Sequence, residues 1–365
     1  MKDHPEVVVI TGASAGVGRA TVREFAKRGA HIGLIARGRD GLEAARREVE
    51  LAGGRALVLA LDVADAAAVE AAAEQVEREF GAIDVWVNNA MVSVFSPIKE
   101  MTAEEFRRVT EVTYLGVVHG TLAALKRMLP RDRGAIVQVG SALSYRSIPL
   151  QAAYCAAKHA ERGFTDSLRC ELIHDGSNVH VTMVQMPALN TPQFGWTKSR
   201  LPRKAQPVPP IFQPEVAAEA IYWAAHQRRR EVFVGLPTTK AIVGNKIIPG
   251  LLDHYLANAA YDGQQTDEPE DPERPHNLME PLPGDHGAHG TFDKRASAAS
   301  PAFWAVKHRA ALGAVAGGVL AVAFTAALKA CARRSDQQIR LLTSRHFRGL
   351  VKTAADARQK MKGSS

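Results

Sequence analysis

The chain has 365 residues, of which 46% are hydrophobic, and carries a formal net charge of +8. A chain of this length and composition can bury a sizeable core and fits one large domain with extensions. Its three cysteines have no paired spacing, which argues against a disulfide framework and for a reducing compartment. The first residues run directly into a strand pattern, so we expect no secretory signal peptide.

The positive charge is concentrated near the C-terminus. Residues 264–293 carry eight acidic residues and one basic residue, whereas residues 294–365 carry fourteen basic residues and two acidic ones. The first 263 residues therefore hold a net charge of only +3. Because polyanions are attracted by basic surfaces, we expect no nucleic acid partner for this N-terminal region. Nucleic acid binding by residues 294–365 is a separate alternative.

The N-terminal sequence predicts a strand, a glycine-rich turn and a helix. Val7–Ile10 is an apolar run, Thr11–Gly18 contains three glycines, and an amphipathic pattern extends to Gly29. Glycines let the backbone approach a pyrophosphate, which the free N–H groups of the helix N-terminus can bind. This setting indicates a dinucleotide site, although surface turns are also rich in glycine. The binding residues predicted here are Gly12, Ser14, Gly16, Val17 and Gly18.

The second predicted strand, His31–Ala36, is followed by Arg37. A domain that binds NAD usually places an acidic residue here to hold the ribose 2′-hydroxyl. A guanidinium instead favours a 2′-phosphate, which it can bind through two hydrogen bonds. The sequence therefore predicts NADP(H) in preference to NAD(H). The alternative is that Arg37 and Arg39 are solvated residues at a helix start.

Three side chains in the middle of the chain suit proton transfer. Ser141 ends a predicted strand, and Tyr154 and Lys158 lie four residues apart in a predicted helix, Gln151–Asp175. Residues at this spacing share a helix face, so the Lys158 ammonium can lower the pKa of Tyr154 from its ordinary value of about 10. Ser141 could donate a hydrogen bond to a substrate oxygen. These residues predict acid–base chemistry on a carbonyl or an alcohol, although Tyr-x-x-x-Lys alone is common by chance.

Four motifs together resemble those of the short-chain dehydrogenase/reductase family. They are Thr11-Gly-x-x-x-Gly-x-Gly18, Asn88-Asn89-Ala90, Ser141 and Tyr154-x-x-x-Lys158. The resemblance runs from about Val7 to about Gly235, and four motifs in the right order are much more specific than one. It implies an α/β fold of Rossmann type, with a doubly wound parallel β-sheet covered by helices on both faces. A helical C-terminal tail would be added to this fold.

The resemblance implies cofactor contacts that the residues alone do not indicate. Asp62 and Val63 would lie beside the adenine ring, although Asp62 could equally be a turn or helix-cap residue. Asn89 and Ala90 follow a predicted strand at its C-terminal end, where ligands bind in open parallel sheets. The family commonly has glycine at the next position, which is Met91 here.

The segment after the predicted strand Asn178–Gln185 resembles the part of the family that lies near the nicotinamide. Pro187 and Thr191 would contact the cofactor there, although prolines also punctuate ordinary loops. Residues 188–212, rich in proline and apolar groups, match the family's mobile substrate lid and favour an apolar, lipid-like substrate. Thr113 stands where the family usually has the asparagine of its proton relay, so we expect a structural role for it.

The leading hypothesis is an NADP(H)-dependent oxidoreductase that interconverts a carbonyl and an alcohol. Tyr154 would be the general acid/base, Ser141 would hold the substrate oxygen, and Lys158 would tune Tyr154 and hold the nicotinamide ribose. The alternative is an NADP(H)-binding sensor or scaffold without turnover. Met91 and Thr113 favour that alternative, whereas the complete catalytic set counts against it. We expect no metal site, and the resemblance allows a homo-oligomer.

Four regions are expected along the chain: an NADP-binding catalytic domain (1–263), a flexible acidic and proline-rich linker (264–300), a candidate transmembrane helix (301–332) and a basic amphipathic tail (333–365). The linker has little to bury and much charge. Residues 310–328 are uncharged, and their number is close to the ~20 that cross a bilayer, although a soluble packing helix is the alternative.

The tail has an apolar face interleaved with arginines, which suits an anionic membrane surface. The residues of that face are Ile339, Leu342, Phe347, Leu350 and Val351. We therefore expect lipid contacts and a membrane-associated protein with a cytoplasmic catalytic domain, with a soluble cytoplasmic protein as the alternative. NADPH and the basic tail both favour the inside of the cell, so a single span leaves the orientation open.

Overall fold

The computed structural model describes the backbone of residues 4–362 and the side chains of residues 4–329, 343–349 and 351–356. The chain divides into two compact units, Met1–Val306 and Lys307–Ser365. The strands are β1 (Val7–Thr11), β2 (His31–Ala36), β3 (Ala56–Ala60), β4 (Val85–Asn88), β5 (Val94–Phe95), β6 (Ala135–Ser141), β7 (His180–Met186), β8 (Lys198–Ser199), β9 (Arg203–Ala205), β10 (Ile211–Phe212), β11 (Glu231–Phe233), β12 (Gln265–Pro269) and β13 (Ala296–Ser297). The α-helices are α1 (Gly16–Ala26), α2 (Arg39–Leu51), α3 (Ala66–Phe80), α4 (Ala103–Thr110), α5 (Gly116–Met128), α6 (Ala152–His174), α7 (Pro214–Ala225), α8 (Leu236–Ile247), α9 (Pro249–Gly263), α10 (Pro301–Lys307) and α11 (Arg309–Lys362).

Seven parallel strands form the central sheet of the first unit. Their order is β11–β7–β6–β4–β1–β2–β3. The chain therefore winds outward in both directions from the β1–β4 pair, and the crevice at this reversal is where open parallel sheets bind ligands. The predicted doubly wound Rossmann-type fold is confirmed.

Strand β1 shows why the sequence requires helices on both faces of the sheet. All five of its residues are buried. Val8 and Ile10 belong to the apolar cluster on one face, together with Phe25 of α1. Val7 and Val9 belong to the cluster on the opposite face. Because successive side chains alternate between faces, an unbroken apolar run fits only a strand that is covered on both sides.

The helix pair α4–α5 contains an irregular turn close to the site. Thr102 and Glu105 form the predicted capping box at the start of α4, each side chain accepting a hydrogen bond from the other residue's backbone N–H. A π-helical turn, Glu111–Leu115, then joins α4 to α5. Within it, the buried Thr113 hydroxyl donates to the carbonyl of Val92 (2.8 Å) and accepts from its N–H (3.1 Å). These bonds fix the loop after β4 and agree with a structural role for Thr113.

Residues 264–300 are not the flexible linker that composition predicts, because two strands within them pair with strands earlier in the chain. Strand β12 pairs with β9, and β13 pairs with β10. Leu278 and Ala288 are both buried, at 1% and 2% exposure. Composition, which counts charges and prolines, indicates neither these strand pairs nor the burial of Leu278 and Ala288. The compact unit consequently extends to Val306 rather than ending at residue 263.

The candidate membrane-spanning segment is shorter than the predicted residues 301–332. Phe303 of α10 is buried, and its ring lies 6.0 Å from that of Trp223, so residues 301–306 pack in the first unit. Among the described residues, one segment is long and apolar enough to cross a membrane, Arg309–Lys329, and none of it is buried. In the predicted amphipathic tail, Phe347 and Val351 are exposed. The side chains of Ile339, Leu342 and Leu350 lie outside the described residues.

Glu105 links α4 to the predicted lid, residues 188–212. Its carboxylate is 4% exposed and accepts from Lys198 and Arg200, each at 2.8 Å. Although burial raises the pKa of Glu105, the Arg200 and Lys198 hydrogen bonds hold it at about 2. Because this pKa is below that of an unfolded glutamate, the interaction stabilises the fold at neutral pH. Its contribution is lost as the pH falls from about 4.5 toward 2.

We predict that Glu105→Gln lowers the free energy of unfolding at pH 7 by about 1.5–3 kcal/mol, since two cations lose a charged hydrogen-bond acceptor. The difference from wild type should shrink as the pH falls from about 5 to about 2, because the wild-type carboxylate becomes protonated. Denaturant unfolding at several pH values measures this. Glu104→Gln, at an exposed neighbouring position, should have little effect. A difference that stays constant at every pH would contradict the assignment.

Candidate active site

A cavity of about 490 Å³ lies at the carboxyl ends of the central strands. It is bounded by the glycine-rich turn after β1, by the ends of β2, β3, β4 and β6, by α6 and by the loop after β7. The predicted site residues that line it are Gly12, Ser14, Gly16, Val17, Arg37, Asp62, Val63, Asn89, Ala90, Ser141, Tyr154, Lys158, Pro187 and Thr191. The structure thus brings together residues that are up to 179 positions apart in the printed sequence. Gly18 is the one predicted residue that does not line the cavity.

Gly18 instead lets the first turn of α1 pack against the loop. A Cβ atom at Gly18 would lie 2.0 Å from the carbonyl oxygen of Gly12, so no other residue fits there. Gly12 itself has a φ of +69°, and a Cβ on it would lie 2.9 Å from the Cα of Ala90. Both glycines are therefore required for the close approach of the turn to neighbouring backbone.

The end of β4 is tied to this turn through Thr11. The Thr11 hydroxyl accepts from the N–H groups of Asn89 (2.9 Å) and Ala90 (3.0 Å). In return, the Asn89 side-chain amide donates to the Thr11 carbonyl (2.9 Å). Three hydrogen bonds therefore join the end of β1 to the residues that follow β4.

Helix α1 presents backbone donors at the cavity. Its first residue, Gly16, donates its N–H to the carbonyl of Gly287 (3.0 Å). Gly287 belongs to residues 264–300, called the C-terminal segment below. Among the described residues, none accepts a hydrogen bond from the N–H groups of Val17 and Gly18. These two donors at a helix N-terminus can bind an anion.

Ser141, Tyr154 and Lys158 converge as expected. Ser141 ends β6, its hydroxyl accepts the N–H of Leu143 at 3.1 Å, and it lines the same cavity as Tyr154. The Lys158 ammonium lies 5.8 Å from the centre of the Tyr154 ring and donates to the carbonyl of Val139 (2.6 Å). One turn of α6 thus holds a phenol and a cation on the same face, next to a hydroxyl from the sheet.

The pKa of Tyr154 differs in direction from the sequence-based expectation. Burial raises it above its ordinary value, and the carboxylate of Glu161 adds to the increase. The charge of Lys158 and the hydrogen bond with Ser141 oppose this change without reversing it. The expected lowering by Lys158 is therefore present, but it is outweighed by the removal of the phenol from solvent.

Glu161 is a site residue that the sequence reasoning missed. It is completely buried, and its Oε2 accepts from the Lys158 ammonium at 2.7 Å. Burial raises the pKa of Glu161, whereas its charge raises the pKa of Lys158 although burial lowers it. The i,i+3 spacing from Lys158 was the available signal. On a helix with many charged residues, that spacing is typical of an exposed pair.

The sequence reasoning also missed the contacts that the C-terminal segment makes with Arg37 and Arg108. The Arg37 guanidinium donates to the backbone carbonyls of Asn277, Leu278 and Met279. Arg108 of α4 donates to the Leu278 carbonyl at 3.1 Å. Backbone acceptors carry no residue signature, so no motif could have predicted these contacts.

Asp62 has the turn role considered for it. One carboxylate oxygen pairs with the Arg108 guanidinium, and the other accepts the N–H of Ala64 at 3.0 Å, as in a turn. Asp62 also lines the cavity beside Val63. Its turn role is therefore compatible with a place in a binding site.

Beyond Tyr154, the cavity has apolar walls. Phe194 and Trp196 from the predicted lid contribute to it, as do Val208 and, from α9, Tyr255 and Leu256. This part of the cavity therefore suits an apolar group more than a charged one.

Comparison with known proteins agrees with this architecture. A family model described as short chain dehydrogenase matches residues 6–200. "Uncharacterized oxidoreductase YxnA" of Bacillus subtilis is 33% identical over 283 residues, which cover 77% of this chain and 80% of that protein. A fatty acyl-CoA reductase of Acinetobacter baylyi is 29% identical over 229 residues, 62% of this chain and 75% of that protein. Proteins named dehydrogenase/reductase SDR family members 7 and 7B are matched over between 50% and 58% of their length.

A solved structure is also similar. The alcohol dehydrogenase from the archaeon Thermococcus sibiricus, complexed with 5-hydroxy-NADP, aligns with a TM-score of 0.54 and 28% identity. The alignment covers 63% of this chain and 96% of that one. Together with the matched family model and the shared fold, these similarities show that the chain belongs to the short-chain dehydrogenase/reductase family of oxidoreductases.

Proposed function

We propose that this protein is an NADP(H)-dependent oxidoreductase that interconverts a carbonyl and an alcohol on an apolar, lipid-like substrate. The observation that carries the proposal is the convergence of the glycine-rich turn with Ser141, Tyr154 and Lys158 on one cavity. A dinucleotide-binding turn alone suits many proteins. A half-buried phenol beside a buried cation, opening onto the same space, has a use in proton transfer.

The residues along the cavity fit a nicotinamide dinucleotide. The N–H groups of Val17 and Gly18 would hold the pyrophosphate, and Asp62 and Val63 would flank the adenine. Lys158 would hold the nicotinamide ribose. Further contacts would come from the loop after β7, through Pro187 and Thr191, and from the carboxyl end of β4, through Asn89 and Ala90.

Preference for NADP(H) over NAD(H) rests on Arg37. The residue directly after β2 is Arg37, where a domain that binds NAD usually has an acidic residue that would repel a 2′-phosphate. The contacts with the C-terminal segment involve both terminal nitrogens of Arg37, which leaves its Nε–H as a donor for a phosphate oxygen. The similar archaeal enzyme was solved with an NADP derivative.

The chain's own residues would handle the proton. When bound, the cofactor would supply or accept a hydride at the substrate carbon. Because its pKa is raised, Tyr154 keeps its proton at neutral pH and can donate it to a carbonyl oxygen that Ser141 holds. Lys158, whose pKa is also raised, stays charged and stabilises the phenolate that forms. This protonation state suits carbonyl reduction.

The apolar walls support the substrate class. Phe194, Trp196, Tyr255 and Leu256 offer a surface for an aliphatic or aromatic chain. One similar protein is named for reduction of fatty acyl-CoA, which is a substrate with a long apolar chain. The protein would also associate with membrane lipid through Arg309–Lys329, a segment about 31 Å long as a helix, which matches the hydrocarbon thickness of ~30 Å.

Tyr154→Phe should reduce kcat/KM by about 10²–10⁴-fold, since the substituted ring cannot donate a proton. The measurement is NADPH and NADH oxidation with aliphatic aldehydes and ketones of increasing chain length. Tyr222→Phe, a tyrosine on α7 outside the cavity, serves as the matched control and should keep full activity. Retained turnover in Tyr154→Phe would show that the acid is misassigned. Dinucleotide binding without turnover by wild type would favour the sensor alternative.

Glu161→Gln should shift the high-pH limb of the kcat/KM profile for reduction to lower pH. Removing the carboxylate removes one cause of the raised pKa of Tyr154, so the protonated phenol is lost earlier as the pH rises. Glu161→Asp should restore part of the wild-type profile. Asp166→Asn removes another α6 carboxylate, one that pairs with Arg169 and Arg230, and should leave the profile unchanged. An unshifted profile in Glu161→Gln would limit Glu161 to a structural role.

Membrane association can be tested in the full-length protein by extraction at alkaline pH. Wild type should remain with the membrane fraction. Leu320→Arg combined with Val322→Arg should weaken retention, because each arginine at the centre of a span costs about 2.5–3.5 kcal/mol. Ala354→Arg adds a charge outside Arg309–Lys329 and should not change retention. Equal retention of all three proteins would argue against a spanning helix.

A further inference from the structure

We infer that residues 277–290, named the strap here, form the outer wall of the dinucleotide site and close over the bound dinucleotide. Uptake and release of the cofactor then require the strap to open. The inference rests on the proposed function in one respect, which is that a nicotinamide dinucleotide occupies the cavity. Its support comes from the anchors of the strap and from the space that it leaves beneath it.

The first anchor lies at the expected adenine end of the cavity. The Arg37 guanidinium binds three consecutive carbonyls, starting at Asn277, and Arg108 binds the second of them. The Leu278 side chain is 1% exposed and belongs to the same apolar cluster as Val63. Two guanidinium groups and one buried side chain therefore fix this end of the strap.

The second anchor lies at the N-terminus of α1. The Gly287 carbonyl accepts the N–H of Gly16 at 3.0 Å. Asp285 accepts from Arg19 at 3.2 Å, and Arg19 is itself only 1% exposed. Ala288 is buried in a small cluster with Ala20 of α1. This end of the strap is thus fixed by a backbone bond, an ion pair and an apolar contact.

The two anchors lie at opposite ends of the dinucleotide-binding part of the cavity. Between them, the strap lines the same cavity through Pro281, Leu282, Gly284 and His286. The ring of His286 lies 4.7 Å from that of Trp196, so the strap also contacts the predicted lid. A segment fixed at both ends and lining the space in between crosses that space.

The strap covers the cavity and does not fill it. It lines part of a cavity of about 490 Å³, which the glycine-rich turn, Asp62 and Val63 also line. Leu278, the deepest side chain of the strap, packs in the core and is not part of the cavity wall. The N–H groups of Val17 and Gly18 have no acceptor from the strap or from the other described residues. The strap therefore occupies the N–H of Gly16 through Gly287, but leaves the space and the donors of Val17 and Gly18 for a ligand.

A reversible cross-link provides the direct test. A Cβ atom at Gly38 would lie 3.6 Å from the Cβ of Pro281, which is within the ~3.5–4.5 Å range of disulfides. The double variant Gly38→Cys/Pro281→Cys should therefore lock the strap to the domain when oxidised. The measurements are made on the full-length protein, by the fluorescence of NADPH during mixing and during displacement by excess NADP⁺.

The oxidised double variant should take up and release NADPH at least about tenfold more slowly than its reduced form, and reductant should restore both rates. The two single-cysteine variants and wild type receive the same oxidant as controls, because Cys155 and Cys170 are free thiols. Hydrogen exchange of the strap amides should slow when NADPH binds to wild type. Equal rates in the oxidised and reduced forms would overturn the inference.

Leu278→Ala gives a second test, because it removes the buried anchor without changing the cavity wall. NADPH release should accelerate by about tenfold. Leu172→Ala, which truncates a leucine of the same core cluster on α6, controls for general destabilisation and should leave the release rate unchanged. Tighter NADPH binding by Leu278→Ala would show that the strap competes with the cofactor, and would overturn the inference. Failure of wild type and the reduced double variant to bind NADPH or NADH would instead overturn the proposed function, and the strap inference with it.

Discussion

The ion pair between Lys158 and Glu161 is the interaction on which the proposed chemistry depends. Both groups are almost completely removed from solvent, and a buried charge without a partner costs several kcal/mol. The carboxylate keeps the ammonium charged, and the ammonium limits how far burial raises the pKa of Tyr154. The carboxylate of Glu161 also destabilises the Tyr154 phenolate. The pKa of Tyr154 therefore reflects opposing effects of the Lys158 and Glu161 charges, both on α6.

The surrounding fold holds this balance in place. The Lys158 ammonium also donates to the carbonyl of Val139 on β6, and Ser141 lies at the end of the same strand. A strand that is buried on both faces is among the most rigid parts of such a protein. The hydrogen bond from Lys158 to Val139 therefore attaches this turn of α6 to the centre of the sheet.

Much of the fold and of the site could be predicted from local pattern. The unbroken apolar run of β1 indicated a strand covered on both faces, and the spacing of Gly12 to Gly18 indicated a turn that lies close to its neighbours. The Tyr154 and Lys158 spacing indicated a shared helix face. Each of these features depends on residues that are near one another in sequence, which is why pattern was sufficient.

The features that sequence could not provide depend on contacts between distant parts of the chain. The strap is held by main-chain carbonyls and by Leu278, so its acidic, proline-rich composition suggested only a linker. The direction of the pKa of Tyr154 depends on how much solvent the surrounding elements exclude, and no local motif reports that. Glu161 had a local signal in its spacing, but its burial is a tertiary property.

The length of α11 has a consequence for the far end of the chain. The helix is continuous from Arg309 to Lys362, 54 residues, which corresponds to about 81 Å. A bilayer core of ~30 Å would be crossed by the first 21 residues alone. The other 33 residues would extend for about 50 Å more, well past the lipid headgroups. Those 33 residues carry nine basic and two acidic residues, so the end of the helix is a basic segment long enough to reach molecules beyond the headgroups.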